Sequence, residues 1–125
     1  MNPRHQIRVR LVQMDVRPGR PSDNTARIIE HVRRAVAEGV DLVVFPEMAV
    51  PGYLLGDEWE HDAFLRECER CGEDIRVASE GVVAVFGNVG VDWSRRNEDG
   101  RVRKYNACFI ADNGAFVGPD GAPYG

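Results

Sequence analysis

Long hydrophobic runs are missing from this 125-residue chain. No stretch approaches the ~18 apolar residues of a membrane span. Met1-Asn2-Pro3-Arg4-His5 leads into a strand-like alternation rather than a signal-peptide core. Basic charge is in deficit: 16 Lys and Arg face 20 Asp and Glu, a net charge of −4. A nucleic-acid partner wants a basic face, so that balance argues against one. Cysteine is scarce and odd in number, three in all. That gives no disulfide framework and points to a reducing, cytoplasmic setting. Histidine is limited to His5, His31 and His61, too scattered to suggest a metal site. Gly87-Asn88-Val89-Gly90 lacks a Gly-Lys-Ser/Thr ending and a following helix, so it is not a phosphate loop. What is present is one domain's length of chain, 43% hydrophobic, enough for a core.

The pattern reads as α/β, with elements in the order βαβαββ. Ile7, Val9 and Leu11 alternate with Arg8 and Arg10, which predicts a strand over residues 7–16 whose second half is covered on both faces. Ser22 or Asp23 can cap a helix reaching Glu38, with Ile28, Ile29, Val32, Ala35 and Val36 on one stripe. Asp41-Leu-Val-Val-Phe45 is short and continuously apolar, as in a strand covered on both faces, and Pro46 ends it. A second helix is expected over residues 58–79, interrupted near Gly72, with His61, Phe64, Leu65, Cys68, Cys71 and Ile75 on its stripe. Residues 81–91 and 105–112 read as strands joined through a polar connection with Asp99-Gly100 at its tip, a hairpin signal that makes them antiparallel. Asn113-Gly114 signals another turn before the brief apolar Ala115-Phe-Val117. Helices can cover one face of such a sheet; the other face is apolar and needs a partner.

Glu47 is the most informative position. It follows directly on a buried strand, at the carboxyl end where open α/β sheets bind ligands. Set against Phe45, Pro46 and Met48, its carboxyl would be partly desolvated, and its pKa would rise toward the range of a general base. A Glu that caps the next turn or pairs with an arginine fits the same position.

The block Asp41-Leu-Val-Val-Phe-Pro-Glu-Met-Ala-Val-Pro-Gly-Tyr53 resembles the first catalytic block of the nitrilase, or carbon–nitrogen hydrolase, superfamily. Arg8-Val-Arg-Leu-Val-Gln-Met-Asp15, Asp23-Asn24, Gly87-Asn88 and Tyr105-Asn-Ala107 resemble that family in the same order. The resemblance implies an α-β-β-α sandwich of which residues 1–125 would be a single partial domain, the N-terminal half. It implies hydrolysis of amides or nitriles by a Cys nucleophile, a Glu base and an oxyanion-stabilising Lys, with no cofactor and no metal. Glu47 matches the family's Glu. Tyr53 matches a tyrosine that lies near the substrate in glutamine-using members; an anchor for the loop is its other reading.

The remaining catalytic groups have no match. Lys104 is the only lysine and precedes Tyr105-Asn-Ala107, whereas the family's lysine follows the strand after that motif, a position just beyond Gly125. Lys104 is therefore expected as a solvated hairpin residue. Cys108 lies inside the fourth strand and is expected to be a packed core thiol. Cys68-Glu-Arg-Cys71 is mid-helix and flanked by acids, away from the helix N-terminus where redox pairs of that spacing sit. A structural zinc would want a second pair.

Within the family the chain is most similar to the glutaminase domain of glutamine-dependent NAD synthetases, on Gly52-Tyr53, Gly56-Asp-Glu58 and Arg103-Lys-Tyr-Asn-Ala107. The partners implied are glutamine, the missing C-terminal half and an ATP-using synthetase domain that receives the ammonia. Two other readings stand beside it: a free-standing amidase acting on another small amide, and a non-catalytic truncated chain that associates with itself. An uncovered sheet face and an open edge predict a homo-oligomer, with a dimer the simplest closed form.

Overall fold

The computed structural model describes residues 6–119; His5 and the last six residues lie outside them. Five strands form one mixed sheet in sequence order, β1 (Val9–Leu11), β2 (Leu42–Val44), β3 (Val83–Arg96), β4 (Val102–Asp112) and β5 (Ala115–Val117). The first three run parallel, which needs long connections, and helices α1 (Pro21–Ala37) and α2 (Asp62–Ala78) supply them. β3, β4 and β5 run antiparallel through tight turns. Asn113 and Gly114 take φ of 48° and 84°, the twist that a two-residue hairpin demands.

Both helices lie on one face of the sheet and pack on each other. Ile28, Val32 and Ala35 from α1 and Leu65, Cys68 and Ile75 from α2 are fully buried there against Val43, Ala84 and Phe86. Asn88 shares that face and donates to the Cys68 carbonyl at 2.9 Å. Among the described residues the opposite face has no second layer. A row of aliphatic side chains crosses all five strands on it, Leu11, Val44, Val85, Ile110 and Val117, each opposite the next in register. Leu11 is 76% exposed and Val117 is 53% exposed, so the uncovered apolar face expected from the pattern is there.

Several local expectations are corrected. The first strand has three residues rather than ten, and Leu11 is exposed rather than doubly covered, because β1 is the edge of the sheet and its outer face is bare. Leu42 and Val44 are half-buried for the same reason. α1 starts at Pro21, whose absent N–H costs nothing at a first helical position, and no side chain caps it. Ser22 instead bonds Glu67 of α2 at 2.8 Å. The second helical stretch is a 3₁₀ turn (Gly56–Glu60) followed by α2, which runs unbroken through Gly72. Gly72 is a packing contact: a Cβ there would come within 3.2 Å of the Asn88 amide. β3 continues to Arg96, which pairs with Val102 across the hairpin, and Trp93 reaches α2, donating to Glu69 at 2.6 Å beneath the Arg66 guanidinium. With β5 added, the order is βαβαβββ.

Candidate active site

Pro46 has no N–H to give, so the chain leaves the sheet after Phe45 donates to the Val85 carbonyl at 2.8 Å. It then crosses the uncovered face over β3. Met48 sits at φ 51°, a left-handed conformation that a residue with a Cβ adopts rarely. Gly87 is what lets the loop lie so low: a Cβ there would stand 2.1 Å from the Met48 nitrogen. Val50 donates to the Gly87 carbonyl at 3.2 Å, and Gly52 to the Met48 carbonyl at 2.8 Å. Gly52 needs its φ of 80° and its missing Cβ, which would lie 2.7 Å from the Pro18 Cα. Asn24, fully buried at the start of α1, ties the loops together. It accepts from the Arg17 N–H and donates to the Arg17 and Val50 carbonyls, each at 2.8 Å.

On this braced loop Glu47 is exposed. The Asn106 side-chain amide donates to its Oε1, and the Tyr53 hydroxyl favours its charged form. Asn106 comes from β4, opposite Val89, and so from the same face of the sheet. The two donors hold the Glu47 carboxyl below the usual carboxylate range, Tyr53 contributing most, while the hydrogen bond to Glu47 raises the Tyr53 phenol. This corrects the upward shift expected from apolar neighbours: the carboxyl stays in contact with water, and donors to its charged form outweigh the slight burial. Glu47 is thus ionised at neutral pH and able to take a proton. Around it lies a cleft of about 390 Å³ lined by Phe45, Pro46, Gly87, Asn106 and Cys108 among others.

Cys108 is a correction as well. It is exposed and borders that cleft, because it lies on the uncovered face opposite Gly87 rather than under the helices. Lys104 is half-buried within β4, its Nζ donating to the Val102 carbonyl at 3.2 Å, rather than free in the hairpin. Cys68 and Cys71 are buried, unbridged thiols. Burial pushes Cys68 up to about 12, with the facing Cys71 and flanking Glu67 and Glu69 adding to it, and burial raises Cys71 as well, so both favour the protonated thiol. His61 lies 3.8 Å from Glu58, and His31 meets Phe45 edge-on at 6.3 Å. Among the described residues no three His, Cys, Asp or Glu group as metal ligands, and no helix is long and apolar enough to cross a membrane.

Two residues of the site carry no role in the sequence reading. Asn106 appears there only as part of the Tyr105-Asn-Ala107 motif; its signal is an amide in the middle of a strand. Asn24 appears only beside Asp23; its signal is a polar residue on the buried stripe of α1.

The sequence matches the family model "Carbon-nitrogen hydrolase" over residues 8–120. The glutamine-dependent NAD(+) synthetase of Xanthomonas campestris is 39% identical over 84 residues, which is 66% of this chain and 15% of that protein. The synthetase of the same description from Thermotoga maritima is 31% identical over 115 residues, 90% of this chain and 18% of that protein. Among solved structures, glutamine-dependent NAD+ synthetase from Acinetobacter baumannii superposes with a TM-score of 0.71 at 27% identity, covering 88% of this chain and 19% of that one. An amidase of the nitrilase superfamily from Nesterenkonia superposes at 0.72 over 90% of this chain and 41% of its own length; at 20% identity it shows the fold alone. The chain therefore spans less than a fifth of the curated relatives named here.

Proposed function

Because the chain belongs to the carbon–nitrogen hydrolase family, we propose that residues 1–125 are the N-terminal half of a glutamine-hydrolysing amidase domain with Glu47 as its general base. The observation that carries this reading is a carboxylate gripped by the Asn106 amide in a cleft at the carboxyl end of β2, on the sheet face that the described residues leave bare. The choice of glutamine is supported by the descriptions of the relatives.

In the reaction, Glu47 takes the proton of a cysteine thiol supplied by the other half of the domain. The thiolate adds to the amide carbonyl, and a lysine from that half steadies the oxyanion. Collapse of the tetrahedral intermediate expels ammonia, which carries off the proton Glu47 had accepted, and leaves a thioester. Glu47 then draws a proton from water, hydroxide attacks the thioester, and glutamate is released as the proton returns to the thiol. Tyr53, on the same loop, borders the amide's approach to Glu47. The second half of the domain covers the row from Leu11 to Val117, so one docking event would shield the apolar face and complete the site. Without that half the chain hydrolyses no amide and pairs with a second copy through the same face or the β5 edge. Ammonia passes to an ATP-using synthetase domain. Three free thiols suit a reducing cytoplasm.

The test is to give the full-length protein glutamine labelled with ¹⁵N at the amide and to follow the label. Labelled ammonia, with small aliphatic amides turned over far more slowly, is the expected result. Equal turnover of simple amides would replace the glutaminase reading by that of a general amidase.

A further inference from the structure

Glu47 is fixed at both ends by neighbouring strands. Its backbone rests on Gly87 of β3, and its carboxylate is reached by Asn106 of β4. β3 and β4 are zipped in continuous register from Val83↔Asp112 to Asp92↔Arg103, which places Cys108 opposite Gly87 and Asn106 opposite Val89. The residue that supports the loop and the residue that grips its side chain therefore ride on one rigid ladder.

A glutamate at the tip of an exposed loop has three side-chain torsions to settle, and ordering such a chain costs about 1–2 kcal/mol of rotamer entropy. A base also has to be held within about 0.5 Å of its working position. Asn106 supplies a tether from a different element, 59 residues away in sequence.

We propose that Asn106 is a positioning residue for the base: its amide clamps the Glu47 carboxylate in the cleft. Resting on the reading of Glu47 as base, the clamp explains why a strand residue that need not touch the substrate carries an amide. A carboxylate has about four lone-pair sites. Asn106 takes one, and the others remain for a thiol or water proton. Only a donor serves at position 106, so the isosteric aspartate would reverse the interaction by setting two carboxylates against each other.

The experiment is a ¹³C NMR titration of the Glu47 carboxyl in the 125-residue chain, compared with Asn106→Ala, Asn106→Asp and Tyr53→Phe. Position 106 is exposed, so amide spectra should report an intact fold in each variant. The titration should move to higher pH in Asn106→Ala and Tyr53→Phe, and further in Asn106→Asp. In the full-length protein the acid limb of the kcat profile should move the same way while the melting temperature holds. A Glu47 titration unchanged in folded Asn106→Ala would overturn the clamp whatever Glu47 does in catalysis. The base assignment fails separately, through hydrolysis that survives Glu47→Gln.

Discussion

Gly87 lies directly beneath Met48: a Cβ on Gly87 would sit 2.1 Å from the Met48 nitrogen and 2.9 Å from the Glu47 Cα. Those atoms are backbone and cannot swing aside. Gly87→Ala should therefore lift the loop off the sheet and destabilise the chain by about 2–3 kcal/mol, the upper range for overpacking. Urea unfolding measures the loss. Gly72→Ala makes the control, since its nearest neighbour at 3.2 Å is a side-chain amide, and it should cost less.

Asn24 makes three hydrogen bonds from a fully buried position. Asn24→Ala strands the Arg17 N–H and the Arg17 and Val50 carbonyls, and should cost about 2–3 kcal/mol. Asn24→Asp should not rescue it, because a carboxylate can accept from Arg17 but cannot donate to two carbonyls. Denaturation midpoints of the two variants decide the matter. A substitution to Asp as stable as the parent would show that the two carbonyls do not need the clasp.

The cysteines should separate by reactivity. Iodoacetamide near pH 8 should label exposed Cys108 first and reach Cys68 and Cys71 only on unfolding. Cys68 is raised to about 12 in the folded chain, against about 8.5 for a free thiol. The fold therefore favours its protonated form. That contribution is complete below about pH 8.5 and is lost as pH rises toward the folded value, because the unfolded chain sheds the proton first. Chemical denaturation above about pH 8.5 should record falling stability, and Cys68→Ala should flatten that limb.

Much of this fold is legible in the sequence, and the parts that are not share a cause. The apolar stripes of α1 and α2 hold because they are local periodicities, and the two hairpins hold because Asp99-Gly100 and Asn113-Gly114 set their own backbone. The extent of β1 and the exposure of Leu11 and Cys108 depend on which strand is an edge and which face is bare, and periodicity carries neither. Glu47 shows the same division. Its place after β2 is written in Phe45-Pro46, whereas the direction of its pKa is set by Tyr53 first and then by Asn106, the latter brought to it by strand register.

The uncovered face should make the isolated chain self-associate. Leu11, Ile110 and Val117 are 76%, 38% and 53% exposed in one row, and among the described residues β5 is an edge strand beside them. Sedimentation at micromolar concentration should give a dimer, and Leu11→Lys with Val117→Lys should return it to monomer. A well-folded monomer of the parent chain would mean that neither face nor edge needs a partner.

The central claim is that Glu47 is the base of an amide hydrolase. The direct measurement is glutamine hydrolysis by the whole amidase domain proposed above, carrying Glu47→Gln, which keeps the shape of the side chain and removes its basicity. Loss of a general base costs roughly 10²–10⁴-fold in rate, so kcat should fall by at least about a hundredfold with stability little changed. Hydrolysis at the parent rate by the folded variant would contradict the claim.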